Sequence, residues 1–101
     1  MNRYTVYVIP RAWVEIKDLP GHMRQRVRRA IAQLADDSHP PGSRELDVPD
    51  IKHELRRLQL DRWRIVYAVT EADSAVDVLA VRKRPPYDYG DLAKLLEEVR
   101  G

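Results

Sequence analysis

Residues 54–70 read ELRRLQL, DR and WRIVYAVT, and this stretch decides the fold. The runs 54–60 and 63–70 are rich in the leucine, β-branched and aromatic side chains that favour strands. Only Asp61 and Arg62 separate the runs, which is the length of a tight hairpin turn. The stretch therefore predicts two antiparallel strands.

A third β-like run covers residues 75–82, where Val76, Val78 and Ala80 alternate with their neighbours. Residues 71–74 leave room for a second turn, and Pro85-Pro86 stops the run. Because strands that are adjacent in sequence usually pair, the three runs predict an antiparallel meander.

The first half of the chain predicts one strand and two helices. Residues 4–9 alternate as an edge or central strand, and Pro10 ends it. Helical spacing follows over residues 11–19 and again from about His22, where the apolar stripe is Met23, Val27, Ile31 and Leu34. The tight break at residues 19–21 predicts an antiparallel helical hairpin. Residues 36–50 are rich in Asp, Ser, Pro and Gly and are interpreted as a loop.

This order predicts an α+β fold, β-α-α-β-β-β-α, as a single domain over residues 1–101. We expect an antiparallel four-stranded sheet with the helical hairpin packed on one face. A short C-terminal helix would carry the stripe Leu92, Leu95, Leu96 and Val99. The opposite face of the sheet would be left at least partly bare.

Composition narrows the class of protein. The chain has no cysteine, so disulfides and thiolate zinc sites are excluded. No apolar run approaches the roughly 20 residues that span a bilayer, and residues 1–10 do not resemble a signal peptide. We therefore expect a soluble, cytoplasmic protein without a membrane partner. Arginine supplies 14 of the 18 basic residues, which suits phosphate binding but also fits a GC-rich genome.

Basic residues concentrate on the predicted meander. In the last strand, Arg82 and Arg84 approach Arg64 if the strands pair as a meander. Such a patch would attract a polyanion, and like charges on neighbouring strands otherwise destabilise a sheet. The alternative is a solvated outer face. The expected RNA-binding residues are Lys52, Arg56, Arg62, Arg82 and Lys83.

Two aromatic residues follow the last basic residues. Tyr87 and Tyr89 are suited to stacking on unpaired bases or to moving a proton, although packing of the last helix is an equal alternative for one of them. The three histidines match no metal motif, so we expect no metal and no cofactor.

The segment 55–67, LRRLQLDRWRIVY, resembles the signature hairpin of RelE/ParE-family toxins. Residues 76–84, VDVLAVRKR, resemble that family's last strand, which usually ends in glycine, a basic residue and arginine. The helical hairpin with Leu19-Pro20 between its arms is also similar. The likeness covers nearly the whole chain.

The resemblance implies a toxin of a type II toxin–antitoxin module. Family members that are mRNA interferases cut messages on the ribosome without metal, by attack of a 2′-hydroxyl on the adjacent phosphate. The positions carried over as catalytic are Arg57, Arg64, Arg84 and either Tyr87 or Tyr89. The implied partners are mRNA on the ribosome and a cognate antitoxin, with a toxin–antitoxin hetero-oligomer as the expected assembly.

Two departures leave an alternative open. Arg56 and Arg57 are adjacent, so they point to opposite faces of a strand, and arginine is a poor base because it stays protonated. Pro85-Pro86 alters the spacing to the tyrosines. The second hypothesis is a ParE-type toxin, which shares the fold but inhibits DNA gyrase by binding it.

Overall fold

A computed structural model describes residues 3–48, 51–83 and 90–99. Within these ranges, the chain forms one sheet with strand order β1-β5-β4-β3-β2. The elements in chain order are β1 (Thr5–Val8), α1 (Pro10–Lys17), α2 (Gly21–Gln33), β2 (Ser43–Leu46), β3 (Glu54–Leu60), β4 (Trp63–Thr70), β5 (Ala75–Lys83) and α3 (Leu92–Leu96). A single 3₁₀ turn, Glu71–Asp73, joins β4 to β5.

The central hairpin has the predicted bounds. β3 and β4 pair in antiparallel register from Glu54 opposite Val69 to Leu60 opposite Trp63. Asp61 adopts a φ of 55° in the two-residue turn, a left-handed conformation that aspartate tolerates better than most residues. The predicted meander of three antiparallel strands is thereby confirmed, with β5 on the other side of β4.

The sheet differs from the prediction in having five strands and mixed direction. β1 pairs in parallel with β5, from Thr5 opposite Ala75 to Val8 opposite Val78. In this direction β1 ends halfway along β5, so α1 begins beside the remaining free edge of that strand. The Val81 N–H donates to Glu15 Oε1 of α1 at 2.9 Å, which satisfies part of that edge.

The additional strand, β2, lies inside the segment predicted to be a loop. It pairs with β3 from Ser43 opposite Leu58 to Leu46 opposite Leu55. Gly42 precedes it with a φ of +91°, a conformation that favours glycine. Four residues among prolines, glycine and aspartates carry too little pattern to be recognised, and the free edge of β3 supplies the hydrogen bonds that make them a strand.

The two faces of the sheet are covered differently. We call the side that carries Leu58, Ile65, Tyr67 and Val78 the helix face, because the predicted apolar stripe of α2 is buried over it. The other side, which carries Arg57, Arg64 and Arg82, is the arginine face. It is bare only in part, since α3 packs against β5 and buries Leu92 and Leu95 completely.

A buried tyrosine ties the helix face to the segment that follows α2. Tyr67 is fully buried, and its hydroxyl donates to the Ser38 carbonyl oxygen at 2.7 Å. Burial raises the pKa of Tyr67, so the hydroxyl stays protonated and keeps donating.

Removing this hydroxyl is expected to leave a buried carbonyl without its partner. Tyr67→Phe should lower the free energy of unfolding by about 1–2 kcal/mol, measured by urea unfolding. Tyr4→Phe is the matched control, because the exposed Tyr4 hydroxyl bonds Glu71 in solvent. Equal losses in the two variants would contradict the role given to Tyr67.

Candidate functional site: the arginine face

Cross-strand register gathers basic side chains from three strands. Arg44 of β2 lies directly opposite Arg57 of β3, and Arg64 of β4 lies between Gln59 and Arg82. Side chains of directly opposed residues share a face, with Cβ atoms about 5 Å apart. We call Arg44, Arg57 and Arg64 the arginine strip.

Arg64 is the most unusual member of the strip. Its exposed fraction is only 3%, its Nε has no hydrogen-bond partner, and its Nη1 makes one long contact of 3.5 Å with the Trp63 carbonyl oxygen. No carboxylate pairs with it among the residues that the structure describes. A buried cation without an anion is costly, and a phosphate would supply the missing charge.

Arg57 and Arg44 provide the exposed continuation of the strip. Arg57 is half-buried and Arg44 is exposed, and neither side chain makes an ion pair or hydrogen bond within residues 3–48, 51–83 and 90–99. Arg44 was not among the expected site residues because its strand was interpreted as a loop. The sequence carries no clear signal for this strand, because Ser43 and Leu46 are half-buried and Arg44 and Glu45 are both exposed.

Arg82 lies beside Arg64, as expected, but carboxylates already surround it. Its Nη1 and Nη2 donate to both oxygens of Asp91 at 2.9 and 2.5 Å, and its Nε donates to Glu15 at 3.2 Å. We call Glu15, Arg82 and Asp91 the carboxylate clamp. It joins α1, β5 and the start of α3, so in this conformation the charge of Arg82 is engaged within the protein.

Arg56 lies on the helix face, so the two adjacent arginines do point in opposite directions. Its Nη2 donates to Ser43 Oγ at 2.9 Å and its Nη1 lies 3.7 Å from Glu54. The side chain of Arg56 is therefore separate from the strip and held by neighbouring strands.

The remaining expected residues are dispersed. Lys52 is exposed before β3, Arg62 is exposed in the hairpin turn at the other end of that strand, and Lys83 is exposed at the end of β5. Arg84, Tyr87 and Tyr89 lie outside the described residues. The structure thus brings Arg57, Arg64 and Arg82 together, and it does not bring Lys52 to them.

Histidine and acidic residues form no metal-binding group of three or more in the part of the chain that the structure describes. His39 is instead a tether: its Nδ1 lies 2.8 Å from Ser38 Oγ and its Nε2 lies 2.6 Å from Glu54. Ser38 is buried, so this chain of contacts fixes the segment after α2 to β3 and offers no accessible nucleophile.

The carboxylate clamp predicts a pH dependence of stability. The hydrogen bond from Arg82 holds the pKa of Asp91 below its ordinary value. A lowered pKa in the folded state contributes stability above the unfolded pKa, and that contribution is lost as the pH falls through the folded pKa. Wild type should therefore exceed Asp91→Asn in unfolding free energy at pH 7, and the gap should shrink below about pH 4. Urea unfolding at several pH values measures this difference in unfolding free energy. A difference that does not change with pH would contradict the role given to the Asp91 carboxylate.

Comparison with known proteins identifies the class of protein to which this fold belongs, the toxins of the RelE/ParE superfamily. The family model described as "ParE toxin of type II toxin-antitoxin system, parDE" matches residues 8–85. This chain belongs to that family, which makes it the toxin of a type II toxin–antitoxin system.

Solved structures show the same fold at low sequence identity. The RelE–RelB complex of Pyrococcus horikoshii matches with a TM-score of 0.73 and 19% identity, covering 84% of this chain and 99% of that one. The isolated RelE toxin of E. coli matches with a TM-score of 0.67 and 20% identity, covering 92% and 98%. The toxin–antitoxin complex RelBE2 of Mycobacterium tuberculosis gives 0.58 and 19%, covering 83% and 94%.

No curated protein matches the sequence significantly. Among the described residues, no helix is both long enough and apolar enough to cross a membrane.

Proposed function

We propose that this toxin is a metal-independent mRNA endoribonuclease that cuts messages on the ribosome and stops translation in the cytoplasm. The observation that carries the proposal is the buried guanidinium of Arg64, which has no carboxylate partner among the described residues. Arg57 and Arg44 extend the row of positive charge across the neighbouring strands. A row of unneutralised arginines on adjacent strands suits the phosphates of an RNA strand.

The arginine strip fits the charge changes of the reaction. The RNA 2′-hydroxyl attacks the neighbouring phosphorus, the bond from phosphorus to the 5′-oxygen breaks, and a cyclic phosphate and a 5′-hydroxyl result. Arg64 and Arg57 would stabilise the additional negative charge on the phosphate oxygens. Because arginine stays protonated, the proton acceptor has to be another group. Arg84, Tyr87 and Tyr89 remain candidates for a third cation and for proton transfer.

Substrate access requires a conformational change in this proposal. With 3% of its surface exposed, Arg64 has to be uncovered before a phosphate can reach it. The carboxylate clamp holds α3 next to Arg64, because Arg82 lies directly opposite Arg64 and binds Asp91 at the start of α3. Departure of α3 would take Asp91 away from Arg82 and leave Glu15 of α1 as its carboxylate partner.

The proposal includes a cognate antitoxin. Two of the similar structures are toxin–antitoxin complexes by their descriptions. An acidic, partly disordered segment that folds on this basic toxin would neutralise it in a hetero-oligomer.

The first experiment maps the 5′ ends of messages by primer extension after the chain is expressed alone. New ends within codons, which disappear when translation is blocked, are expected. Growth arrest without new ends would refute the nuclease. The matched control is Arg64→Met, which removes the buried cation and should yield no new ends.

A second candidate function is inhibition of DNA gyrase by protein binding. The observation that favours it is the family description, which is that of ParE toxins. α1 also exposes Trp13 and Val14, large apolar side chains that suit a protein partner. Under this alternative, supercoiling and replication fail before translation does, and Arg64→Met keeps its toxicity.

A further inference from the structure

The outer face of α2 is a second basic surface, distinct from the arginine face. Residues 19–35 contain four arginines and no aspartate or glutamate. Arg24, Arg26, Arg28 and Arg29 are all exposed. Because α2 packs over the helix face, these side chains lie on the side of the molecule opposite the arginine strip.

Only one of these arginines is paired with a carboxylate in the described ranges. Arg26 binds Asp61 at 2.5 Å. Arg24 makes a long 3.4 Å hydrogen bond to the Leu19 carbonyl oxygen, and Arg28 lies over the Trp13 ring at 5.6 Å. Neither contact neutralises charge, and the Arg29 side chain has no partner among the residues that the structure describes, so most of the positive charge of α2 faces solvent.

The shape of this face suits a nucleic-acid backbone better than a protein. Opposite the buried stripe of α2, helical spacing places Gln25 and Ala32 between Arg28 and Arg29. The exposed side of the helix therefore carries only polar or short side chains between these two arginines. The large apolar side chains that are exposed in the described residues are Tyr7, Trp13 and Val14, and none lies on α2. Protein interfaces usually need such an apolar anchor, whereas phosphate binding needs only positioned cations.

We propose that the outer face of α2 binds the phosphates of double-helical RNA. Single strands are bound by stacking of bases on aromatic rings, and the one aromatic ring beside this face, Trp13, lies beneath Arg28. A duplex is instead recognised through its shape and backbone, which cations on a convex helix can contact. The toxin then has basic surfaces on two opposite sides. The outer face of α2 contacts an RNA duplex, while the arginine face holds the RNA strand that is cut.

This inference goes beyond the proposed function and does not depend on RNA cleavage. The test is fluorescence anisotropy with a labelled 20-base-pair RNA duplex, and with one of its strands alone, over a series of salt concentrations. The double variant Arg28→Gln, Arg29→Gln removes two charges from α2. The matched control, Arg3→Gln with Lys94→Gln, removes two exposed charges elsewhere.

The α2 variant should lower the slope of log affinity against log salt by about 1.8 for the duplex, as two lost phosphate contacts require. The control should change the slope by less than half of that amount. The readout is duplex binding and not cleavage, so a failed nuclease proposal would not disturb this result. Equal effects of the α2 variant and the control would overturn the inference, because net charge alone would then explain binding. The inference would also be overturned if the α2 variant lost affinity only for the single strand, or lost only the binding of an acidic antitoxin peptide. Circular dichroism checks that both variants are folded.

Discussion

Arg64→Met is expected to abolish the toxin's RNA cleavage while leaving the folded protein at least as stable as the wild type. Removal of one preorganised charge-stabilising group typically costs about 10²–10³-fold in rate. The free energy of unfolding should not fall with the cleavage rate, because Arg64 is buried without a carboxylate partner among the described residues. Replacing this charge with an apolar side chain of similar length removes its desolvation cost and leaves no carboxylate buried without a partner.

Cleavage of a translated message and thermal unfolding of the purified protein measure the two effects separately. Arg62→Met is the matched control, because Arg62 is exposed in the hairpin turn two residues away. A destabilised Arg64→Met protein would indicate a structural role for the arginine. A stable and fully active one would remove Arg64 from the site.

The second large effect is expected at the carboxylate clamp. Arg82→Ala removes three charge-assisted hydrogen bonds to Glu15 and Asp91. Hydrogen bonds to charged groups contribute about 1.5–3 kcal/mol each when buried, but both carboxylates are about one-third exposed and solvent weakens the pairs. We expect a total loss of about 2–3 kcal/mol in the free energy of unfolding.

A double-mutant cycle isolates the pair from other effects. Asp91→Ala and the combined variant are compared with Arg82→Ala in urea unfolding, and a coupling of about 1 kcal/mol or more is expected. Arg29→Ala, which removes an exposed arginine from α2, should change stability by less than about 0.5 kcal/mol. Strict additivity of the Arg82 and Asp91 losses would show that the contact between these two residues contributes no interaction energy.

Local pattern predicted the parts of the fold that depend on local interactions. β3 and β4 have the predicted bounds because strand-forming residues alternate there on both sides of a two-residue turn. The stripe of α2 is buried as expected, because helical spacing alone places Met23, Val27 and Leu34 on one side. Each of these features is decided within about 20 residues of sequence.

The features that were missed or wrong depend on distant partners. β2 is a strand only because β3 offers it a free edge, and β1 pairs in parallel with β5, a partner 70 residues away in the sequence. The prediction of four antiparallel strands is therefore wrong in both number and direction.

The site was predicted to a similar extent. Register brings Arg64 and Arg82 together as expected, because a meander fixes which residues oppose one another. The burial of Arg64 and the engagement of Arg82 were not predictable, since Glu15 is 67 residues from Arg82 and Asp91 reaches Arg82 only because α3 folds back against β5. Local sequence shows which residues are charged, and only the tertiary fold determines which charges stay unpaired.

The parallel pairing of β1 with β5 affects how the chain folds during its own synthesis. Thr5 meets Ala75, a partner that is translated 70 residues later. Closing so long a loop is entropically costly and slow. The first strand must therefore wait, unpaired, until β5 has left the exit tunnel, and no complete sheet exists before then. The five-stranded sheet is thus completed only once β5 has been made, although the three strands that carry Arg44, Arg57 and Arg64 can pair with one another earlier.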